Sequence, residues 1–297
     1  MSFPPHTGEP VPGVARGTLA RGTPVRDALD GAVTAIAAAG CETPRLDAEL
    51  LLADALGVSR ERLLVDLDLT VAGGAVRVFQ DFVRRRSVQR EPVAYILGRR
   101  HFRRLELKVD RRALIPRPET ELLVEVCLSL PHGVRVLDIG TGSGAIALAL
   151  ADERPDLRVT GADLSESALG LAHENAERLG LAAAFVHSDL LDAIEGELDV
   201  ILSNPPYVPD GDRASLMPEI LRHEPADALF AGPDGLDVIR RLIAQAAGRP
   251  TVRMLGLEVG IGQAGVVGKL MRAAGFQTVR AERDLAGIER VVVGERP

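Results

Sequence analysis

The sequence predicts an α/β fold: a doubly wound, mainly parallel Rossmann-like sheet, preceded by a small all-α domain and a β-hairpin linker. Three observations carry this reading. From Val134 onward short apolar runs alternate with helical stretches, as βαβ units require. A glycine-rich segment, Asp138 to Gly144, separates the first apolar run from its helix. Ahead of residue 92 the apolar residues recur at helical spacing, with no strand alternation.

The elements follow in order. Residues 1–23 are rich in Pro, Gly and Thr, with little apolar periodicity, and read as a disordered tail. Residues 24–91 read as a helical domain suited to substrate recognition. Val25, Leu29, Val33, Ile36 and Ala37 mark a first helix that Gly40 ends. Leu46, Leu50, Leu51 and Leu56 mark a second, closed by Gly57. Arg60 to Leu67 and Ala75 to Val88 read as further helices. Over 92–115, Phe102, Leu105, Leu107 and Val109 alternate with charged residues, which predicts the hairpin. The domain over 116–297 opens on Pro116 to Glu121, where Pro118 suits a first helical turn and the acids suit its N-terminal dipole.

Within that last domain, strands are expected at Val134–Leu137, Val159–Ala162, Ala184–His187, Leu198–Leu202, Thr251–Val259, Phe276–Ala281 and Arg290–Val293. Helices are expected from Ala145 to Ala151, Glu166 to Leu179 and Gln263 to Ala274.

Composition narrows the function. No long uncharged apolar run appears, so no membrane span is expected. The N-terminus lacks the basic-then-apolar pattern of a secretory signal. Cys41 and Cys127 stand far apart, which argues against a disulfide framework or a metal site and fits a cytoplasmic home. A net charge of −7 argues against a general nucleic-acid coat. The charge is uneven: Arg84 to Arg117 holds eleven Arg and Lys108 against Glu91, Glu106 and Asp110. That strip reads either as a solvated face or as a docking surface for an acidic protein or RNA.

The glycine-rich segment is the first candidate site. Gly140, Thr141, Gly142, Ser143 and Gly144 let the backbone turn tightly and approach a ligand. Gly140, Gly142 and Ala145 also satisfy the dinucleotide pattern, so a nicotinamide cofactor competes at this stage. Asp163 closes the second strand, where an acid accepts from ribose hydroxyls. Asp189 follows the third strand, placed to accept from an exocyclic adenine amine. Each acid alone is equally well read as a strand-end or capping residue. Asp138 separates the cofactors: a carboxylate ahead of the glycines suits a cationic ligand and repels a pyrophosphate. The combination favours S-adenosyl-L-methionine.

Asn204-Pro205-Pro206-Tyr207 is the second candidate site. It ends the apolar run Leu198 to Leu202, at the carboxyl edge where open α/β sheets bind ligands. Asn204 offers a carbonyl acceptor and an NH2 donor. Pro205 offers a carbonyl and no N–H. Tyr207 adds a flat ring with a polar tip. Two acceptors and a ring suit a planar amino group held for methyl transfer. The plain reading of the tetrapeptide is a Pro-rich turn that closes a strand.

Val136 to Gly144 together with Asn204 to Tyr207 resembles a class I S-adenosylmethionine methyltransferase acting on a planar nitrogen. Glu91 to Gly98, Leu114 to Glu121, Glu224-Pro225, Gly232 to Leu236 and Asp284 to Gly287 narrow the resemblance to the peptide chain release factor glutamine methyltransferases, over residues 25–295. The resemblance implies methylation of the glutamine amide in the Gly-Gly-Gln motif of class 1 release factors, with S-adenosyl-L-homocysteine as product. It implies that Asp138, Gly140 to Gly144, Asp163, Leu164, Asp189, Leu190 and Asn204 hold the cofactor. It assigns the glutamine to Asn204, Pro205, Pro206 and Tyr207, with Arg117 and Glu119 also on the substrate side. The catalytic residues are then Asn204, Pro205 and Tyr207. Relatives often carry an aromatic residue where this chain has Leu190, so apolar contact with adenine is expected without stacking. No metal, no stable nucleic-acid partner and a monomer are expected. A ribosomal-protein glutamine, a nucleic-acid base amine and a catalytically silent cofactor-binding module are the competing readings.

Overall fold

The computed structural model describes residues 22–66 and 69–297. The expected tail lies outside them up to residue 21, as does Leu67 at the end of the expected third helix. The chain divides into two compact units, one ending at Val83 and one running from Arg84 to Pro297.

In the first unit, β1 (Thr23–Pro24), α1 (Val25–Ala38), α2 (Pro44–Leu56), α3 (Arg60–Val65) and β2 (Thr70–Val71) precede α4 (Gly74–Ser87), which continues into the second unit. The helices sit where apolar spacing predicts them. Leu29, Ala32 and Ile36 of α1 and Ala48, Leu51 and Leu52 of α2 are buried. Pro44 stands in the first turn of α2, and Gly57 ends it with left-handed backbone. The Ser59 hydroxyl accepts from the Arg62 N–H and caps α3. The antiparallel pairing of β1 with β2 was not expected; two residues per strand are too few to show alternation.

The second unit begins with α5 (Val93–Leu97) and a hairpin of β3 (Arg99–Phe102) and β4 (Leu105–Lys108). Phe102, Leu105 and Leu107 turn inward and join the main core. After a 3-10 turn over Pro118–Thr120 come α6 (Glu121–Glu125), β5 (Arg135–Ile139), α7 (Ala145–Glu153), β6 (Arg158–Asp163), α8 (Glu166–Leu179), β7 (Ala184–His187) and β8 (Val200–Ser203). The chain ends with α9 (Pro218–His223), α10 (Asp237–Ala247), β9 (Met254–Glu258), α11 (Ala264–Ala273), β10 (Thr278–Arg283) and β11 (Glu289–Glu295).

Seven strands form one sheet in the order β10-β11-β9-β8-β5-β6-β7. The five from β9 to β7 are parallel, and β11 and β10 add antiparallel at one edge. Helices cover both faces, so central strands such as β8 and β9 are buried throughout and read as unbroken apolar runs. The edge strand β10 instead exposes Arg280 and Arg283, the kind of charge that blunts an open edge. Leu123, Leu148 and Leu150 pack on one face, and Ile239, Leu242 and Met271 on the other. Helix α10 goes beyond the sequence expectation, although its Ile239, Leu242, Ile243 and Ala246 stand at helical spacing.

Strand order reverses at β5. The chain runs outward through β6 and β7, then returns to place β8 on the other side of β5. Ile139 and Ser203 are register partners there, and the Ser203 hydroxyl donates to the Ile139 carbonyl at 2.7 Å. The glycine-rich loop and the Asn204 segment therefore leave the sheet side by side, at the switch point where such folds bind ligands.

Candidate active site

A cavity of about 460 Å³ opens at the carboxyl ends of β5, β6 and β8. That lies within the usual range for a small-molecule site. Gly140 to Ser143, Asp163 to Ser165, Ser188 to Leu190 and Ser203 to Pro206 form its walls, with Ala113, Leu114, Pro116 and Thr120 opposite.

The glycine-rich loop is shaped from behind. Gly144 has left-handed backbone at φ 83°, and a Cβ there would stand 3.0 Å from Leu148 and 3.3 Å from Ala172. The Gly142 N–H donates to Asp163 Oδ2 at 2.8 Å, and the Ser165 N–H donates to Asp163 Oδ1 at 2.9 Å. Burial raises the Asp163 pKa, and these N–H groups oppose the rise. Ser143 also lines the cavity, and its buried hydroxyl has no hydrogen-bond partner.

Asp138 stands behind the cavity wall rather than on it. It is fully buried; its Oδ2 accepts from the Thr141 hydroxyl at 2.6 Å and from the Ala147 N–H at 3.3 Å. Its Oδ1 has no partner, and burial pushes its pKa up to about 7. The expectation that Asp138 faces a ligand therefore needs correction. A strand residue that precedes the loop by two positions points into the sheet layer, and here its carboxyl holds the loop to the first turn of α7.

Asp189 lies at the cavity, with Oδ2 accepting from Arg241 at 2.8 Å. Leu190 is buried and lines the wall with left-handed backbone at φ 52°. The Ser188 hydroxyl holds that turn, donating to the Leu190 carbonyl and accepting from the Ala193 N–H. Leu164 is exposed at the rim.

The tetrapeptide is held by a buried network. Asn204 Nδ2 donates to Thr120 Oγ1 at 3.1 Å, and Thr120 Oγ1 donates to Glu258 Oε2 at 2.6 Å. The Tyr207 hydroxyl donates to Glu258 Oε1 at 3.3 Å. Glu258, at the end of β9, is 2 % exposed. Burial pushes its pKa up to about 7 against the pull of Thr120 and Tyr207. Burial, reinforced by the Glu258 charge, also pushes up the Tyr207 phenol. Gln263 Nε2 donates to the Tyr207 carbonyl at 3.0 Å. Gly235 lies so close that a Cβ would stand 2.2 Å from the Tyr207 carbonyl oxygen.

Asn204, Pro205 and Pro206 thus border the cavity, whereas Gly144, Tyr207, Arg117 and Glu119 do not. Tyr207 turns its ring toward the core below. Arg117 donates to Glu224 Oε1, and Glu224 Oε2 accepts from the Ile115 N–H. That pair holds the 113–117 wall in place. Sequence reasoning missed Thr120, Gly235, Glu258 and Gln263. Only Thr120 and Gly235 fell inside quoted motifs; a lone Glu ending an apolar strand carries no signal of its own.

The positive strip is not a free face. Arg86 and Arg90 meet Glu219, Arg85 meets Glu91, and Arg103 meets Glu153 and Glu125. Lys108 and Arg112 share Glu174, and Arg104 meets Asp152. Acids distant in sequence fold back onto the run and offset much of its charge, which a count along the chain cannot reveal.

Among the described residues no cluster of His, Cys, Asp and Glu could hold a metal ion, and no helix is long and apolar enough to cross a membrane.

Comparison with known proteins fits this arrangement. Residues 118–247 match the family model described as methyltransferase small domain, and residues 27–98 match that described as PrmC N-terminal domain. The release factor glutamine methyltransferase of Deinococcus radiodurans is 41% identical over 92% of this chain and 98% of its own. The chain belongs to the release factor glutamine methyltransferase family. The family's enzyme from Mycolicibacterium smegmatis is likewise 41% identical, over 92% of this chain and 98% of its own. Among solved structures, the hMettl16 catalytic domain in complex with the MAT2A 3′UTR hairpin 6 shares the fold at a TM-score of 0.54 and 16% identity, over 75% of this chain and 81% of that one.

Proposed function

We propose that the cavity binds S-adenosyl-L-methionine and that Asn204 and the Pro205 carbonyl hold the glutamine amide of a Gly-Gly-Gln motif beside it. The family's activity, methylation of a release factor glutamine, is the activity of this chain. The residues present fit the cofactor. Asp163 ends β6 as a carboxylate placed for ribose hydroxyls, Leu190 offers apolar contact to adenine, and the Ser143 hydroxyl is a buried polar atom in need of a partner. Asp189 and Leu164 complete the nucleoside side. Asp138 acts indirectly, by shaping Gly140 to Gly144.

The observation that carries the reading is the orientation of Asn204. Its NH2 group is committed to Thr120, which leaves its carbonyl oxygen as the free acceptor at the cavity. Pro205 adds a second carbonyl and no competing N–H. Two acceptors, rigidly spaced, match the two N–H bonds of a primary amide. When bound, the cofactor supplies an electrophilic methyl carbon on a sulfonium. An amide nitrogen is a poor nucleophile, since its lone pair is delocalised. The chain's contribution is placement, worth about 7–11 kcal/mol of barrier in favourable cases, and acceptors that stabilise positive charge developing at nitrogen. An amide N–H is far too weak an acid for a carboxylate to deprotonate first, so the proton leaves to water after transfer. Tyr207 closes the site from below; Arg117 acts on the glutamine through the wall it supports, and Glu119 stands beside it on the substrate side.

The product is S-adenosyl-L-homocysteine, and a cytoplasmic monomer acting in translation termination is the form proposed. Tritium transfer from labelled cofactor into purified release factor, ribosomal protein and tRNA tests the reading. Label in the release factor alone is expected, lost when the Gly-Gly-Gln glutamine is replaced by alanine. Label in tRNA or ribosomal protein alone would overturn it.

A further inference from the structure

We infer that Glu258, acting through Thr120, is a positioning residue that sets which end of the Asn204 amide faces the cavity. The inference rests on the reading of Asn204 as an acceptor for the glutamine.

The argument is one of hydrogen count. An asparagine amide is nearly symmetric in shape, and a half-turn about its last torsion exchanges carbonyl for NH2. Only the first orientation accepts an N–H from the substrate; the second presents a donor to a donor. A threonine hydroxyl has one hydrogen to give. Thr120 gives it to Glu258 Oε2 at 2.6 Å, so toward Asn204 it can only accept. The 3.1 Å contact therefore requires Asn204 Nδ2 at Thr120 and Oδ1 at the cavity. Glu258 imposes this direction in its ionised form, in which a carboxylate oxygen takes the hydroxyl hydrogen and has none to give back. Its second oxygen accepts from Tyr207, so one carboxyl braces both ends of the tetrapeptide. Glu258 itself is buried and absent from the cavity wall, so it touches neither reactant.

The network predicts a separation of rate from affinity. Thr120→Val keeps the shape of the side chain and removes the hydroxyl, which frees the amide to turn. Its single-turnover rate on release factor is expected to fall at least about 30-fold, on the scale of losing a preorganised contact, with the cofactor Kd within about twofold. Thr120→Ser restores the hydroxyl and is expected to recover the rate to within about threefold. Glu258→Met, which removes both acceptors at similar length, is expected to lose rate with the same unchanged Kd. Asn204→Ala is measured alongside. A normal rate in Thr120→Val, with Asn204→Ala slow, would overturn the inference and leave the proposed function standing. Equal loss in Thr120→Val and Thr120→Ser would also overturn it. A normal rate in Asn204→Ala would remove the proposed role of Asn204, and this inference with it. Where Thr120→Val fails to fold, Glu258→Met decides, and an unaltered rate there overturns the inference.

Discussion

The Gly142 N–H donates to the Asp163 carboxylate across 2.8 Å, joining the loop after β5 to the end of β6. Asp163 thus serves the loop and faces the cavity at once. Asp163→Ala removes an acceptor for the cofactor and an anchor for Gly142 together. Hydrogen bonds to charged groups contribute about 1.5–3 kcal/mol, so the S-adenosylmethionine Kd is expected to rise roughly 10- to 150-fold. Calorimetric titration measures it. A Kd within twofold of wild type would take Asp163 out of the cofactor site.

Gly235 carries the tetrapeptide's second brace. Its φ is +73°, and a Cβ there would stand 2.2 Å from the Tyr207 carbonyl oxygen and 3.0 Å from Pro209 N. Both atoms are backbone, so no side chain can swing aside. Gly235→Ala is expected to shift Asn204 to Tyr207 and to slow methyl transfer about 100-fold, as small misplacements near reacting atoms do. The cofactor loop lies across β5 and should keep its affinity. Single-turnover kinetics with a parallel titration checks the split; a normal rate would show that the tetrapeptide tolerates displacement.

Asp138 should make stability pH-dependent. Burial lifts its pKa to about 7, and the Asp163 charge adds to the rise against the Thr141 and Ala147 bonds. A raised carboxyl binds its proton more tightly in the folded state. Its contribution is complete below the unfolded value near 3.8 and is lost as pH climbs through about 7. Asp138→Asn removes that titration. Between pH 4 and pH 8 the wild type should lose about 4 kcal/mol relative to the variant, at about 1.4 kcal/mol per pKa unit. Urea unfolding of both proteins across the window measures the difference, in which other titrating groups cancel. Parallel curves would show that Asp138 titrates normally.

Much of this was legible in the residues. The doubly wound sheet follows from apolar runs such as Leu198 to Leu202, which need a helix on each face. The glycine loop and Asn204 to Tyr207 were legible because both depend on residues with unusual backbone or functional groups. What the sequence hid was mutual. Thr120 and Glu258 lie 138 positions apart and meet only because the turn ahead of α6 packs against the end of β9. Asp138 read as a ligand because spacing gives a position on the strand but not which side of the loop the carboxyl takes. Arg84 to Arg117 read as a charged strip because its partner acids, such as Glu153, Glu174 and Glu219, arrive from later elements.

Glu219 tests that last point. It is 6 % exposed and accepts from Arg86 at 3.0 Å and Arg90 at 2.5 Å. Burial alone would raise its pKa, but its own helix N-terminus and the two guanidinium groups hold it below the usual carboxylate range. Arg86 is itself buried. Glu219→Ala therefore removes a carboxylate that two guanidinium groups share, and breaking a buried pair costs up to about 3–5 kcal/mol. Arg86 keeps the Glu91 carbonyl, so a loss of about 3 kcal/mol is expected. Because this pair is shielded from solvent, the loss should persist in high salt, whereas an exposed pair's contribution would fade with screening. Urea unfolding at low and high ionic strength separates the two. A loss that disappears in salt would place Glu219 among solvated surface acids and return the Arg84–Arg117 run to an open charged face.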